Sequence, residues 1–572
     1  MRKLLLYAGM TSLILVGSCQ GDFLEKNPQG VLSESVLANR DGINALLIAA
    51  YAELDGWAGW EAGDVWAQAT TNWVFGDVVA DDAYKGSDAG DQKEILEIEG
   101  YQATAGNRYF TAKWRSVYDG VSRSNDVIRI LGAYDITDMT AAEKDQVVAE
   151  ARFLRGFYHL EAKKMWNKVP YLDETVQDVR VSNSADIWPQ IEADFNFAQE
   201  NLPATQSQKG RATSWAAKGF LAKCYMFQQK YAQALTLVNE IINSGEFDLA
   251  DSFHDNFRTA GQTNNPEVVF AVQASVNEGG TEGENGGYGN VLNYPYNNGP
   301  GKCCGFHQPS QNLVNAFKTD ANGLPLLDTF NDVDVTNDEG INSNDPFTPY
   351  AGTLDPRLDW TVGRRGIPYL DWGLHGGRDW IRDQTHGGPF SPIKHVYYKS
   401  EEKTNSTASG WAQGPNANDY MLIRYADVIL WAAECEVETG SLEKARAYVN
   451  QIRARAANPA TWVKLPDGSP AANYVIGLYN TPWTDQAVAR KAVRFERRLE
   501  LAMEGHRFFD LVRYGNAAEV LNACLVKEKV KRTYLSGAVF TAGRNEYYPI
   551  PTVEIQNSYK DGAPTLTQNP GY

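Results

Sequence analysis

The run Val147-Val148-Ala149-Glu150-Ala151-Arg152-Phe153-Leu154-Arg155-Gly156-Phe157-Tyr158-His159-Leu160-Glu161-Ala162-Lys163-Lys164-Met165-Trp166 contains a single glycine and no proline. Ala151, Leu154, Phe157, Tyr158 and Ala162 fall on one side of it at helical spacing, so it reads as a long amphipathic helix that must bury that side against a neighbour. Pro170 closes it soon after. Helical periodicity of this kind dominates two blocks, about residues 107–243 and 420–514, the second broken by a loop near Pro466. Within the first, Leu221, Ala222, Tyr225, Tyr231, Ala234 and Val238 are spaced as in a tetratricopeptide helix pair. Ala433 and Ala445 in the second block stand 12 residues apart, as do Ala222 and Ala234. Small residues at such places let two antiparallel helices approach closely, with Leu442, Val449 and Ile452 completing the apolar stripe. Between the blocks, residues 244–419 are rich in Gly, Pro, Asn and aromatics and read as long loops with short strands.

The first nineteen residues read as an export signal. Arg2 and Lys3 are basic, and the apolar run Leu4 to Val16 falls short of the roughly 20 residues that span a bilayer. It ends in Leu15-Val16-Gly17-Ser18-Cys19, which looks like a bacterial lipobox, with cleavage before Cys19 and acylation on that thiol. Each buried CH₂ of an acyl chain adds about 0.8 kcal/mol of membrane affinity, so several chains anchor firmly. The chain of 572 residues is 43% hydrophobic and 22% charged, a composition that folds around a large core. Its formal charge of −18 deepens to −20 when Arg2 and Lys3 leave with the signal. Such a balance repels nucleic acid and anionic head groups, so the tether to the membrane is the lipid.

Five blocks resemble the SusD/RagB family of nutrient-binding lipoproteins of Bacteroidetes. They are Asp22-Phe23-Leu24-Glu25 with Pro28 behind Cys19; Ala149-Glu150-Ala151-Arg152-Phe153-Leu154-Arg155-Gly156-Phe157-Tyr158; Arg424-Tyr425-Ala426-Asp427-Val428-Ile429-Leu430; Glu496-Arg497-Arg498-Leu499-Glu500-Leu501 with Glu504-Gly505-His506-Arg507; and Tyr548-Pro549-Ile550-Pro551, Glu554-Ile555 and Gln568-Asn569-Pro570. The resemblance implies a mainly α fold, in which tetratricopeptide-like helix pairs form a scaffold for a loop-rich irregular lobe carrying short strands. It implies residues 1–18 as signal peptide and 19–572 as one domain on the outer face of the outer membrane. The function implied is capture of a glycan, or in some members a peptide, for a partner TonB-dependent transporter of the SusC kind, without catalysis and without a cofactor. The charged run Arg494 to Arg498 reads as a set of intramolecular ion pairs.

Sugar binding needs flat apolar faces for the C–H side of a ring and polar groups for its hydroxyls. Two stretches offer both. Asp55 to Tyr84 holds four of the fifteen Trp (Trp57, Trp60, Trp66, Trp73) with Asp77, Asp81 and Asp82. The second comprises Tyr294, Tyr296, Cys303, Cys304 and Phe306, then Arg364, Arg365, Tyr369, Trp372, Arg378 and Trp380. From these, Trp73, Asp81, Trp372 and Arg378 are selected as ligand contacts, since each lies near turn-forming or polar residues. Adjacent Cys303 and Cys304, in a Gly/Pro-rich loop of an oxidising compartment, can close as a rigid apolar plate suited to stacking under a sugar; two free thiols are the alternative.

A surface-anchored glycoside hydrolase is the main rival reading. No H-E-x-x-H, G-x-S-x-G or G-x-x-x-x-G-K-[ST] occurs, whereas 71 acidic residues leave many possible carboxylate pairs. A peptide-holding scaffold is the other. Asp332, Asp334, Asn337, Asp338 and Asp345 form an oxygen-rich loop of the kind that can hold Ca²⁺; it fails EF-hand spacing, so a solvated acidic loop is the preferred reading and no metal ligand is assigned. Seven His without a Cys/His cluster give no zinc site.

Overall fold

A computed structural model describes residues 34–262, 264–278, 285–297, 299–407 and 412–572. The signal segment, Cys19 and the leader Asp22 to Pro28 lie outside the described residues. The principal helices are α1 (Arg40–Ala52), α2 (Arg108–Ala133), α3 (Ala141–Trp166), α4 (Trp188–Asn201), α5 (Ser214–Phe227) and α6 (Tyr231–Ser244). After the lobe come α7 (Tyr425–Thr439), α8 (Leu442–Ala456), α9 (Gln486–Leu501), α10 (Arg507–Tyr514) and α11 (Ala517–Lys531). Six of these starts are capped by a side chain. Thr140 accepts from the Glu143 N–H while the Glu143 carboxylate accepts from the Thr140 N–H, a capping box that begins α3 ahead of its apolar stripe. Asn39, Asn107, Thr213, Ser441 and Asp485 cap α1, α2, α5, α8 and α9, each cap stabilising its helix by about 1 kcal/mol.

Helices α1 to α6 pack each on the next, and α6 then packs on α7 although residues 245–424 separate them in sequence. The two helical blocks are thereby one stack, completed by α8 and α9. Ala222, Ala234, Ala433 and Ala445 are all fully buried, as their equal spacing predicted. Gly120 makes the α2–α3 crossing possible: a Cβ there would sit 2.6 Å from the Tyr158 ring.

Residues between α6 and α7 form loops joined by short strands and one- or two-turn helices, and one further strand, β1, comes from between α1 and α2. β1 (Ala83–Gly86), β2 (Val268–Val272), β3 (Phe306–Pro309), β4 (Val362–Gly363), β5 (Ser391–Pro392) and β6 (Tyr420–Arg424) pair antiparallel as β1–β3, β2–β6 and β4–β5. Three boundaries depart from the periodicity. The second block opens on strand β6, because Met421, Leu422 and Ile423 find their partner in Val268–Val272. Helix α1 precedes the first block, burying Ile43, Leu47 and Ala50. Helix α11 extends past Tyr514, with Leu521, Cys524, Leu525 and Glu528 inward and Val526 and Val530 outward, so that it shows no clear stripe.

Lobe and scaffold meet at a buried ionic network. Glu496, Glu500 and Glu504 recur every four residues, which places the first two on one face of α9 and the third just past its end. Arg357 donates to Asp355 (2.7 Å), Glu496 (2.7 Å) and Glu500 (3.0 Å), and Arg453 to Glu496 (2.8 Å). Arg424 reaches Glu500 (2.6 Å), Glu504 (3.0 Å) and Glu267 (3.2 Å), Arg455 reaches Glu267 and Glu500, and Lys394 reaches Glu504 (2.7 Å). Five cations thus face five carboxylates, all buried, and the equality is what makes their removal from water tolerable.

The expected ion pairs of Arg494 to Arg498 are also seen: Arg498 pairs with Asp82 (2.8 Å) and Asp81 (3.1 Å), and Arg497 with Asp427 and Asp510. Burial alone would raise Glu504, but Arg424 and Lys394 hold it down to about 2, below its ordinary 4.5. A depressed folded pKa stabilises fully above the unfolded value and is lost on acidification. Urea titrations at stepped pH therefore show stability falling as pH drops from about 4.5 towards 2. Glu500→Ala, which strands three guanidinium partners, costs about 3–5 kcal/mol by the same measurement at pH 7.

Candidate functional site

The segment from Tyr288 to Phe306 carries two apolar surfaces. At its C-terminal end Cys303 and Cys304 are bonded to each other as a vicinal disulfide across a cis peptide bond, Cys304 buried and Cys303 half-exposed. Glycines let this loop lie flat on aromatic rings. Gly301 has φ +67° and a Cβ on it would sit 2.6 Å from the Tyr294 ring, and Gly305 has φ +76° beside Tyr296 and Arg382. Gly305 N–H donates to the Tyr294 carbonyl (2.9 Å) and Phe306 N–H to that of Leu292 (3.1 Å), closing the loop on itself. Below it, Tyr294, Tyr369, Trp380, Ile393, Val396 and Tyr397 form an apolar cluster separate from the main core. Trp372 packs on this cluster and donates its indole N–H to the Tyr397 carbonyl (3.0 Å), remaining half-buried.

A polar rim borders the disulfide. The Arg382 guanidinium lies 5.3 Å from the Tyr296 ring centre and binds Asp88 (2.8 Å), Asp91 (2.6 Å) and the Ser87 hydroxyl (2.9 Å). Ser87 N–H donates to the Gly305 carbonyl (2.5 Å), so the acidic turn and the disulfide loop are tied directly together. Lys85 is buried beneath and donates to the carbonyls of Asp88 (2.6 Å) and Asp91 (2.7 Å); burial lowers it to about 8. The arrangement sets an apolar plate and an aromatic ring beside oxygen acceptors and N–H donors, which is what a ring of hydroxyls on an apolar face requires.

At the other end of the segment, Tyr288 meets Trp57 (5.5 Å between ring centres) and Trp60 (6.0 Å), and these two indoles meet each other (5.6 Å). Trp60 is 51% exposed, so an aromatic edge stands open to solvent. Tyr288 also lines a cleft of about 490 Å³ between α1, the turn at Gln208–Arg211 and the lobe. Amides supply much of its wall, including Gln208, Gln273, Asn285, Asn290, Asn416 and Asn418. His395 within it is held down to about 4 by burial and is neutral at pH 7.

The residues selected from sequence divide. Cys303 and Cys304 are bonded to each other, Trp372 packs on the separate Tyr294–Tyr397 cluster, and exposed Arg378, on the turn that carries Trp380, donates to Asn342 (2.9 Å). Trp73 and Asp81 are corrected: both are buried and have no face open to solvent. Trp73 donates its N–H to the Gly289 carbonyl (3.1 Å) and packs on Phe306 and His307, bracing the Tyr288–Phe306 segment from behind. Asp81 is bound by Arg507 (2.7 Å) and Arg498 (3.1 Å), because a carboxylate so deeply placed must be paired. Nearby, burial raises Asp77 to about 8 and lowers His307 to about 3, so their 3.0 Å contact joins a neutral acid to a neutral imidazole.

Sequence reasoning missed Arg382, Asp88, Asp91 and Tyr288. The turn Gly86-Ser87-Asp88-Ala89-Gly90-Asp91, acidic and glycine-rich, is the signal that points to two of them. In the acidic loop, Asp334 pairs with Lys531 (2.8 Å) and burial raises Asp338 to about 6; among the described residues no group of acidic, His or Cys side chains is placed to hold a metal.

A family model described as the SusD family matches residues 266–572, and a second, described as starch-binding and associating with the outer membrane, matches residues 22–226. SusD-like protein P25 of Formosa agariphila is 25% identical over 429 residues, covering 71% of each chain. Starch-binding protein SusD of Bacteroides thetaiotaomicron is 22% identical over 485 residues, covering 79% of each. Among solved structures, surface glycan-binding protein A from Bacteroides thetaiotaomicron in complex with laminarihexaose superposes with TM-score 0.64 at 23% identity over 93% of this chain and 99% of that one. A laminarin-binding SusD-like protein gives TM-score 0.63 at 24% identity over 93% and 100%. At these identities the structures establish the shared fold.

The disulfide has a direct chemical readout. Besides Cys303 and Cys304, the described cysteines are Cys224, Cys435 and Cys524, all free and buried. Protein lacking residues 1–19, denatured and alkylated without reductant, should take up three labels, rising to five after reduction; five without reductant means that the plate does not form.

Proposed function

The chain belongs to the SusD family, and we propose that it captures oligo- or polysaccharide at the cell surface and passes it to a partner TonB-dependent transporter of the SusC kind. The observation that carries this reading is the Cys303–Cys304 plate beside Tyr296, rimmed by Arg382, Asp88 and Asp91. A sugar ring stacks its C–H face on the plate and on Tyr296, while its hydroxyls bond the guanidinium and carboxylate oxygens. Trp60, Trp57 and Tyr288 supply a second aromatic stop for a longer chain. Relatives of the same fold described as binding laminarin and laminarihexaose support a glycan as the ligand class.

The remaining parts of the reading rest on the N-terminal sequence and on the family. Acylation of Cys19 behind Leu15-Val16-Gly17-Ser18 supports a lipid tether, with residues 19–572 as the mature domain on the outer face of the outer membrane. Capture for transport leaves the polymer intact, so no catalytic residue is assigned. A glycan-array screen followed by affinity gels tests this on protein lacking residues 1–19. Expected is retardation by a cognate glycan without release of reducing ends, and at least tenfold weaker binding in a variant joining Cys303→Ser and Cys304→Ser to Trp60→Ala that still unfolds in one cooperative transition. Release of oligosaccharide products, or undiminished binding by that variant, would overturn it.

A further inference from the structure

We propose that the Cys303–Cys304 bond is a redox switch on the binding surface: a dithiol reductant opens it and the glycan is released, an inference that rests on the glycan-capture reading above. Among the described cysteines this pair alone offers a sulfur to reagents in solution. Cys303 is half-exposed, whereas Cys224, Cys435 and Cys524 are free and buried. Lys302, the residue before it, is exposed and forms no ion pair among the described residues, so its ammonium draws an incoming thiolate towards Cys303. Lys302 also sits at φ +53° behind Gly301 at +67°, a left-handed conformation that a lysine keeps only where its surroundings impose it. The loop is therefore held in shape by its contacts and not by its own preference.

The exchange takes place in two steps. One thiolate of the dithiol bonds the Cys303 sulfur as the bond to Cys304 breaks, and the electron pair leaves on the Cys304 sulfur, which takes a proton. The second thiol of the reductant then bonds to the first, and the Cys303 sulfur departs with its electron pair and is protonated in turn. The protein gains two electrons and two protons, and the reductant closes as a cyclic disulfide. Opening alters the surface because the two sulfurs are unequally fixed. Cys304 is buried in the main core and its N–H donates to the Leu292 carbonyl (3.3 Å). Bonded sulfurs lie about 2 Å apart, whereas unbonded heavy atoms need about 3.5 Å or more. With Cys304 anchored, Cys303 swings outward into the space where a sugar face stacks. Gly305 follows in the chain and its carbonyl accepts from Ser87 N–H (2.5 Å), so the movement also reaches Asp88, Asp91 and the Arg382 paired with them.

Native labelling and binding test this together. Protein lacking residues 1–19 is treated with about 10 mM dithiothreitol, then assayed for a glycan it retains on an array and, in parallel, alkylated without denaturant. Expected are two labels on the peptide holding Cys303 and Cys304, none on Cys224, Cys435 or Cys524, and Kd raised at least about tenfold. In an unalkylated sample, removing the dithiol and adding oxidised glutathione returns Kd to its starting value. A variant with Cys303→Ser and Cys304→Ser binds as weakly without dithiothreitol as with it. Labels on the pair with Kd changed less than about twofold, no labels on the pair, or a variant whose binding still responds to the dithiol each overturn the switch while leaving glycan capture intact. Binding lost only where the three buried cysteines are also labelled, which reports unfolding, overturns it as well. Oxidised protein that retains no glycan on the array overturns glycan capture, and the switch with it.

Discussion

Glu496, Glu500 and Glu504 and the cations that surround them are the constraint on which this structure depends. Helix α9 contributes two of the carboxylates, helix α8 Arg453 and Arg455, strand β6 Arg424, and the lobe Asp355, Arg357 and Lys394. A region made of loops and strands two to five residues long has little backbone pairing to hold it in place. Charge pairing removed from water supplies what that region lacks. It does so with directional contacts, because a guanidinium satisfied by two or three carboxylates fixes position as well as distance. A buried charge without its partner is costly, so alternative seatings of the lobe are disfavoured.

The same constraint reaches the candidate site. Glu504 is followed by Gly505, whose N–H donates to Asp77 (2.8 Å) and whose carbonyl lies so near Gly76 that a Cβ there would sit 2.0 Å away. That contact holds the turn Trp73–Val78, and Trp73 in turn grips Gly289 at the start of the Tyr288–Phe306 segment. Asp81 and Asp82 act from the same side: the Asp82 carbonyl accepts from Ser310 N–H (2.9 Å), directly after strand β3. Trp73 and Asp81 are thus supports behind the candidate surface. Their polar and aromatic character is spent inward, on positioning.

Much of the scaffold is legible in the sequence. The stripe Ala151, Leu154, Phe157, Tyr158, Ala162 and the matched spacing of Ala222–Ala234 with Ala433–Ala445 each encode packing between neighbours in sequence, and each is buried as expected. Helix α11 escaped notice because buried Glu528 and exposed Val526 and Val530 reverse the usual assignment of apolar residues to the inside. Strand β6 escaped because its partner lies in a stretch without helical pattern. On the site, Cys303 and Cys304 are bonded to each other as the closed alternative of the sequence reading has it, since adjacency is itself a local property. Trp73 and Asp81 did not hold as exposed contacts, since exposure is decided by what packs on a residue from elsewhere.

By itself, then, the sequence determined the helical character of the two blocks, the small-residue crossings between successive helices, the loop-rich character of the middle and the proximity of the two cysteines. All of these follow from interactions among residues a few positions apart. The tertiary structure decided that α6 continues into α7 across the lobe, that Arg382 meets Asp88 and Asp91, and which of the tryptophans faces water. Those outcomes depend on pairs separated by hundreds of residues. Such pairs form according to which charges and rings remain to be covered once the helices have packed, and no local spacing records that remainder.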